Sequence, residues 1–322
     1  MKYPGPSSNR QSYTHMDTTL LAAQLINGLQ LGILLFLLAS GLSLIFGIMD
    51  FVNLAHGSLY MVGAFFCATI TDWTDSFIIG ALLAIPATAV IGFLVEIIVV
   101  RKLYQRDHLD HVLATFGLIL VFDTTTQMIW GPDGLVVPLP AWLDTRVTLF
   151  SDIVLPTYRI AIIGVGLAVA AGLWLLVSKT RLGMRIRAGA SNRDMIGALG
   201  VDINLLFTLV FALGAVLAGL AGMMIAPITE ASVGMGNGII IVAFVVIVIG
   251  GIGSIKGAFA AAMIVGLIDT MGRSYLDSLF KLFMSNQNAE TSAPAISAML
   301  IYILMAAILA FRPQGLFPPK GR

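Results

Sequence analysis

Apolar stretches recur along this chain at a length and spacing unlike those of a water-soluble domain. Runs near 20–48, 51–71, 77–100, 111–130, 158–178 and 204–227 are followed by others near 239–252, 257–272 and 295–312. A helix of about 20 apolar residues spans the hydrocarbon core of a bilayer. Only helices or closed barrels satisfy their own backbone there. The pattern predicts an all-α, polytopic transmembrane helical bundle of about 8–9 membrane segments, with broken or re-entrant helices where polar residues intrude.

Composition strengthens this picture. Of 322 residues, 58% are hydrophobic and 11% charged, against roughly 25% charged in a soluble domain. A net charge of +1 gives no reason to expect nucleic acid as a partner. One cysteine, Cys67, excludes a disulfide framework within the chain. Residues 1–19 read as a polar N-terminal extension, 20–314 as the transmembrane domain and 315–322 as a tail. Residues 1–15 carry two prolines and are expected to be disordered or to precede a native start at Met16.

Basic residues orient the bundle. Arg101, Lys102 and Arg106 follow the third run, and Lys179, Arg181, Arg185, Arg187 and Arg193 follow the fifth. Lys256 and the tail residues Arg312, Lys320 and Arg322 complete a set that one threading places on a single side. By the positive-inside rule that side is the cytoplasm. The segments 131–157 and 273–294, and the N-terminus, then lie outside.

Two breaks hold the candidate functional residues. GIMDFVNLAHGSLYMVGAF (47–65) sets Asp50, Asn53 and His56 at three-residue spacing and follows them with Gly57 and Ser58. Strongly polar groups at bilayer depth cost about 2.5–3.5 kcal/mol each. They either line a polar path or cap a re-entrant turn and bond one another, and the residues alone leave both readings open. The second break, GGIGSIKG, offers Gly250, Gly251, Gly253 and Ser254. A faint repeat would match His56-Gly57 with Lys256-Gly257, as in transporters whose broken helices meet near the midplane.

Other polar residues read as structural. Glu96 is an interfacial charge near Arg101 and Lys102, Asp269 pairs with Arg273, and Gln24, Asn27 and Gln30 bond between helices. Asp123 lies in the outer half of its helix and could line an outer vestibule. Small residues four apart predict close helix packing: Gly28/Gly32, Gly164/Ala168/Gly172, Ala215/Gly219 and Ala218/Gly222.

The basic segment 179–203 contains Ser191 and Asp194 at capping-box spacing, predicting a short helix from about 192 that Gly200 ends. Met195, Ile196 and Leu199 would share one face, with Arg185 and Arg187 upstream. Such a helix suits either a groove on a soluble partner or the membrane surface. Nothing in the chain has the spacing of a phosphate loop, a nucleophile elbow or a metal-binding helix pair, so neither catalysis nor a cofactor is expected. Uphill movement would need energy from another subunit or an ion gradient.

The chain resembles the permease subunits of branched-chain amino-acid type ABC transporters, whose relatives import urea and amides. The resemblance rests on NGLQLGILLFLLASGLSLIFGIMDFVNLAHGSLYMVGAF, TRLGMRIRAGASNRDMIGALGVD, VIVIGGIGSIKGAFAAAMIVGL and RPQGLF, in that order. It implies a bacterial inner-membrane subunit that pairs with a related permease or a second copy of itself. Two cytoplasmic ATP-binding subunits and an external solute-binding protein complete the implied complex. The solute would be a branched-chain or other small amino acid, urea or an amide. The resemblance further implies that Arg185, Arg187, Ser191, Asn192, Arg193, Asp194, Met195, Ile196 and Leu199 belong to a loop that couples to the ATPase. Asn53, Ala55, His56 and Gly57 match the family's N-[FLM]-A-H-G motif, but Ser58 stands where Glu is usual.

Overall fold

A computed structural model describes residues 7–149 and 153–317. Eleven helices dominate those residues: α1 Ser7–Met49, α2 His56–Thr74, α3 Phe77–Ile98, α4 His108–Trp130, α5 Thr157–Lys179, α6 Arg181–Ser191, α7 Arg193–Ala198, α8 Ile203–Thr229, α9 Met235–Gly250, α10 Ile255–Phe280 and α11 Asn286–Phe311. Every apolar run of the sequence is a helix. Seven are long and apolar enough to cross a membrane by themselves. The shorter two are α2 and α9, each set beside a break.

α1 is described from Ser7, so it runs back into the polar extension, while its apolar part begins at Leu20. Residues 1–6 and 318–322 lie outside the described residues. The segment 131–157 carries a two-stranded antiparallel hairpin, β1 Arg146–Leu149 with β2 Ile153–Pro156, which apolar periodicity did not reveal.

α1 and α8 form the centre. Gly41 approaches the carbonyl of Gly214 while Ile48 and Leu206 meet near Gly189, so the two helices run antiparallel. α1 packs on α10 as α8 packs on α3, and α2 packs on α8 as α9 packs on α1. α1–α2–α3 and α8–α9–α10 thus share one packing order, run in opposite directions. Their correspondence corrects the expected repeat. His56-Gly57 opens α2 and Met235-Gly236 opens α9, whereas Lys256-Gly257 opens α10, the counterpart of α3. A polar residue and glycine before a small-residue helix is a helix-start signature, and it recurs wherever a tightly packed helix begins.

Close packing follows the small residues in α1 and α8. Gly28 and Gly32 face the backbone of α10, Gly63 lies against Gly219, and Gly222 lies against the Tyr60 carbonyl. Gly164 and Gly172 behave otherwise, since a Cβ added at either would meet nothing from another helix within 4 Å among the described residues. α5 is peripheral and touches α1 through Gly166, which meets Ile33. Most of α3, α4, α5 and α11 is exposed and apolar, as lipid-facing helices are.

Candidate functional site

The chain between α1 and α2 turns back into the bundle. Asp50, at φ 52°, ends α1 in a left-handed conformation. Residues 51–55 then climb beside α1, and His56 at the start of α2 bonds the Leu38 carbonyl at 3.1 Å. Leu38 lies three turns before the end of α1, about 16 Å into the bundle at 1.5 Å per residue. α2 therefore starts near mid-depth. The segment is latched from the side by α4: Thr115 accepts a bond from the Leu54 amide at 3.3 Å. Phe51 packs on His111 with ring centroids 4.4 Å apart.

α9 starts at the same level from the opposite direction. Glu230, at φ 70°, and Gly234, at φ 78°, turn the chain after α8. Gly57 and Gly236 then cross so closely that a Cβ on either would strike the other's backbone. Two helix N-termini, each carrying partial positive charge from unpaired amides, thus meet in the middle of the bundle. The polar groups beside them are sealed. Asn53, His56 and Ser58 are buried. Asn53 Nδ2 and Oδ1, His56 Nδ1 and Ser58 Oγ have no hydrogen-bond partner among the described residues. Unpaired buried polar atoms cost about 1–3 kcal/mol each, a penalty that a passing polar solute would relieve.

The other expected path residues lie elsewhere. Asp50 opens onto a small pocket with Tyr104, Arg106, Asp107, His108 and His111. Gly250 is sealed against Gly257. Gly251 and Gly253, at φ 102° and 82°, form the turn from α9 into α10, and Gly253 lies against Gly47 of α1. The break facing Asn53 and His56 is therefore Glu230–Gly234, and the GMGNG run at 234–238 was its signal in the sequence. The segment 131–157 is tied to this break, because Leu135 and Ala231 exchange backbone bonds of 2.8 and 2.9 Å. Asp123 joins it too, accepting from Asn237 Nδ2 at 2.9 Å.

A model of the family described as "branched-chain amino acid transport system / permease component" matches residues 24–309. The chain belongs to that family. The permease is 28% identical to the high-affinity branched-chain amino acid transport system permease protein BraD of Pseudomonas aeruginosa, over 91% of this chain and 94% of that one. It is 26% identical to LivH, the corresponding permease protein of Escherichia coli strain K12, over 80% and 88%. The probable branched-chain amino acid transport permease protein LivH of Methanocaldococcus jannaschii is 27% identical over 88% of each. No solved structure matches the permease.

At the basic end of the permease the segment after α5 forms two helices. α6 was not foreseen; its Thr180 cap accepts from the Gly183 amide at 3.0 Å. α7 is capped by Asn192, which accepts from the Met195 amide at 2.9 Å, and not by Ser191, the last residue of α6. Met195 and Leu199, four residues apart, are 60% and 76% exposed, but Ile196 is turned inward and buried. Gly200, at φ 84°, follows the end of α7. Arg185 is exposed and Arg187 donates to the Val177 carbonyl. The side chains of Arg193 and Asp194 lie outside the described residues.

Glu96 departs most from its expected role. It is completely buried and accepts from Arg101 Nε and Nη2 at 3.2 and 3.0 Å, from Thr208 at 2.8 Å, and from the Tyr104 hydroxyl. This network ties the end of α3 to α8, the helix that follows α7. Asp269 and Arg273 pair at 3.0 Å as expected, and Asn27 accepts from Arg159 between α1 and α5. The RPQGLF motif also gains a structural role: the Leu316 and Phe317 amides bond the Ile249 and Gly250 carbonyls at 2.8 and 3.0 Å and satisfy the end of α9.

Proposed function

We propose that this permease is one membrane-spanning half of an ATP-binding cassette importer in a bacterial cytoplasmic membrane. It pairs with a homologous permease or with a second copy of itself. A solute-binding protein delivers the solute at the outer end, against the 131–157 segment. Two cytoplasmic ATP-binding subunits engage the basic end through α6 and α7. The solute is a branched-chain amino acid, as the names of the relatives suggest.

The observation that carries this reading is the crossing of α2 and α9. Two helix N-termini converge at mid-depth beside Asn53 Nδ2 and Oδ1, His56 Nδ1 and Ser58 Oγ, which lack partners among the described residues. Half-helix N-termini at the midplane suit the carboxylate of an amino acid. In this structure the crossing is closed. Opening it requires α2 and α9 to separate, and α9 is rooted at the basic end by the RPQGLF segment. Motion delivered through α7 reaches α8 directly and α3 through Glu96 and Thr208. Exposed Met195 and Leu199 are the grip for the motor, since an apolar pair projecting from a short helix suits a groove on a soluble partner.

In the assembled complex, Met195→Asp with Leu199→Asp is expected to lower solute uptake roughly tenfold or more and to release the ATP-binding subunits on purification. The permease itself should stay folded, because both positions are exposed. Unchanged uptake and co-purification would refute the coupling role. Solute flux through liposomes holding this chain alone would instead support a stand-alone channel or ion-coupled carrier.

A further inference from the structure

At the basic end, α1, α5, α6 and the α9–α10 turn surround a cavity of about 500 Å³. Its walls are mainly apolar, built by Leu44, Ile48, Trp174, Val177, Ile186 and Ile255. Its level is fixed by its lining, since Ile48 and Val177 belong to the last turns of α1 and α5 and Ile255 is the first residue of α10. This is the depth at which a bundle leaves the hydrocarbon core.

The charged part of the lining is cationic. Arg187 on α6 and Lys256 on α10 border the cavity, and no carboxylate lines it. Arg187 spends one donor on the Val177 carbonyl. Its other donors and the Lys256 ammonium meet no acceptor among the described residues. Deeper in the wall Ser43 is completely buried, and its hydroxyl has no partner among the described residues. The N-terminus of α10, with Ser254 as its cap, adds a favourable field for an anion.

We propose that this cavity binds an anionic phospholipid of the adjacent leaflet. The phosphate sits between Arg187 and Lys256, and one acyl chain lies along the wall of Leu44, Ile48 and Trp174. Basic pockets between membrane helices hold anionic headgroups by this combination of charge and apolar wall. A free anion would leave the apolar wall unused, and a neutral lipid would leave two cations unpaired. The bound lipid bridges α6 to the α9–α10 turn. The assignment depends only on the chain spanning a membrane, and not on what it transports.

The test uses the full-length chain in nanodiscs of mixed phosphatidylglycerol and phosphatidylcholine, with retained lipid read by native mass spectrometry after gentle detergent extraction. Phosphatidylglycerol is expected to be retained in preference to phosphatidylcholine. Arg187→Gln with Lys256→Gln should cut that preference roughly tenfold or more, since each basic residue near an anionic surface contributes a several-fold factor. Ala190→Phe, which fills the cavity from α6 and leaves both charges, should reduce retention of both lipids. Equal retention of the two lipids by the unaltered chain would overturn the proposal, as would an undiminished preference in the double variant. Displacement of the lipid by isoleucine at equal occupancy would also overturn it, marking the cavity as a solute chamber.

Discussion

The α2–α9 crossing and the α9–α10 turn are both glycine-lined breaks, yet one is sealed and the other opens onto a cavity. At the crossing, Gly57 and Gly236 touch backbone to backbone, and α4 latches the segment that leads to it. At the turn, Gly253 and Ser254 line the cavity beside Arg187. The sealed break holds polar side chains without partners, whereas Ser254 at the open one is used as a helix cap. Glycine content therefore does not distinguish a sealed crossing from an open turn. What surrounds the glycines does.

The largest effect is expected where the seal is tightest. Gly57→Val places two methyl groups where the Gly236 backbone already lies, and no rotamer change removes backbone. Folded, monodisperse protein should be lost in detergent, while Gly238→Ala on the free side of α9, where an added Cβ meets nothing within 4 Å, should remain folded. Recovery of well-folded Gly57→Val would break the picture of a closed crossing.

Next comes the buried network beside the latch. Glu96→Ala leaves the Tyr104 hydroxyl without its acceptor and Arg101 without its carboxylate, and should cost about 3 kcal/mol, seen as a fall in melting temperature. A stability loss near zero would mean that the α3–α8 tie carries no weight. The smallest effect sharpens the comparison itself. Thr115→Val removes the hydroxyl that accepts from Leu54 and should cost about 1 kcal/mol. Faster hydrogen exchange should be confined to residues 50–55, with the α9–α10 turn unaffected.

Much of this architecture was legible in the sequence. Runs of apolar residues set the helices because lipid leaves a chain few alternatives, and basic residues marked one end. The breaks were legible as breaks, but not which one faces which. His56 and Lys256 both precede glycine at a helix start, and only three-dimensional packing shows Gly57 against Gly236. Glu96 could not be recognised as buried, since its partner Thr208 is more than a hundred residues away and a carboxylate near two cations looks like a surface charge. Ile196 was misplaced because a six-residue helix is too short for its periodicity to reveal which side is covered. The hairpin was hidden because its four-residue strands pair outside the apolar pattern.

The account stands on α7 and the 131–157 segment occupying opposite sides of the membrane. With Cys67→Ala as background, Leu199→Cys and Trp142→Cys place single thiols at exposed positions of each. An impermeant thiol reagent applied to intact cells should label the Trp142→Cys variant and spare the Leu199→Cys variant until the membrane is opened. Labelling of Leu199→Cys from outside, with Trp142→Cys protected, would contradict it.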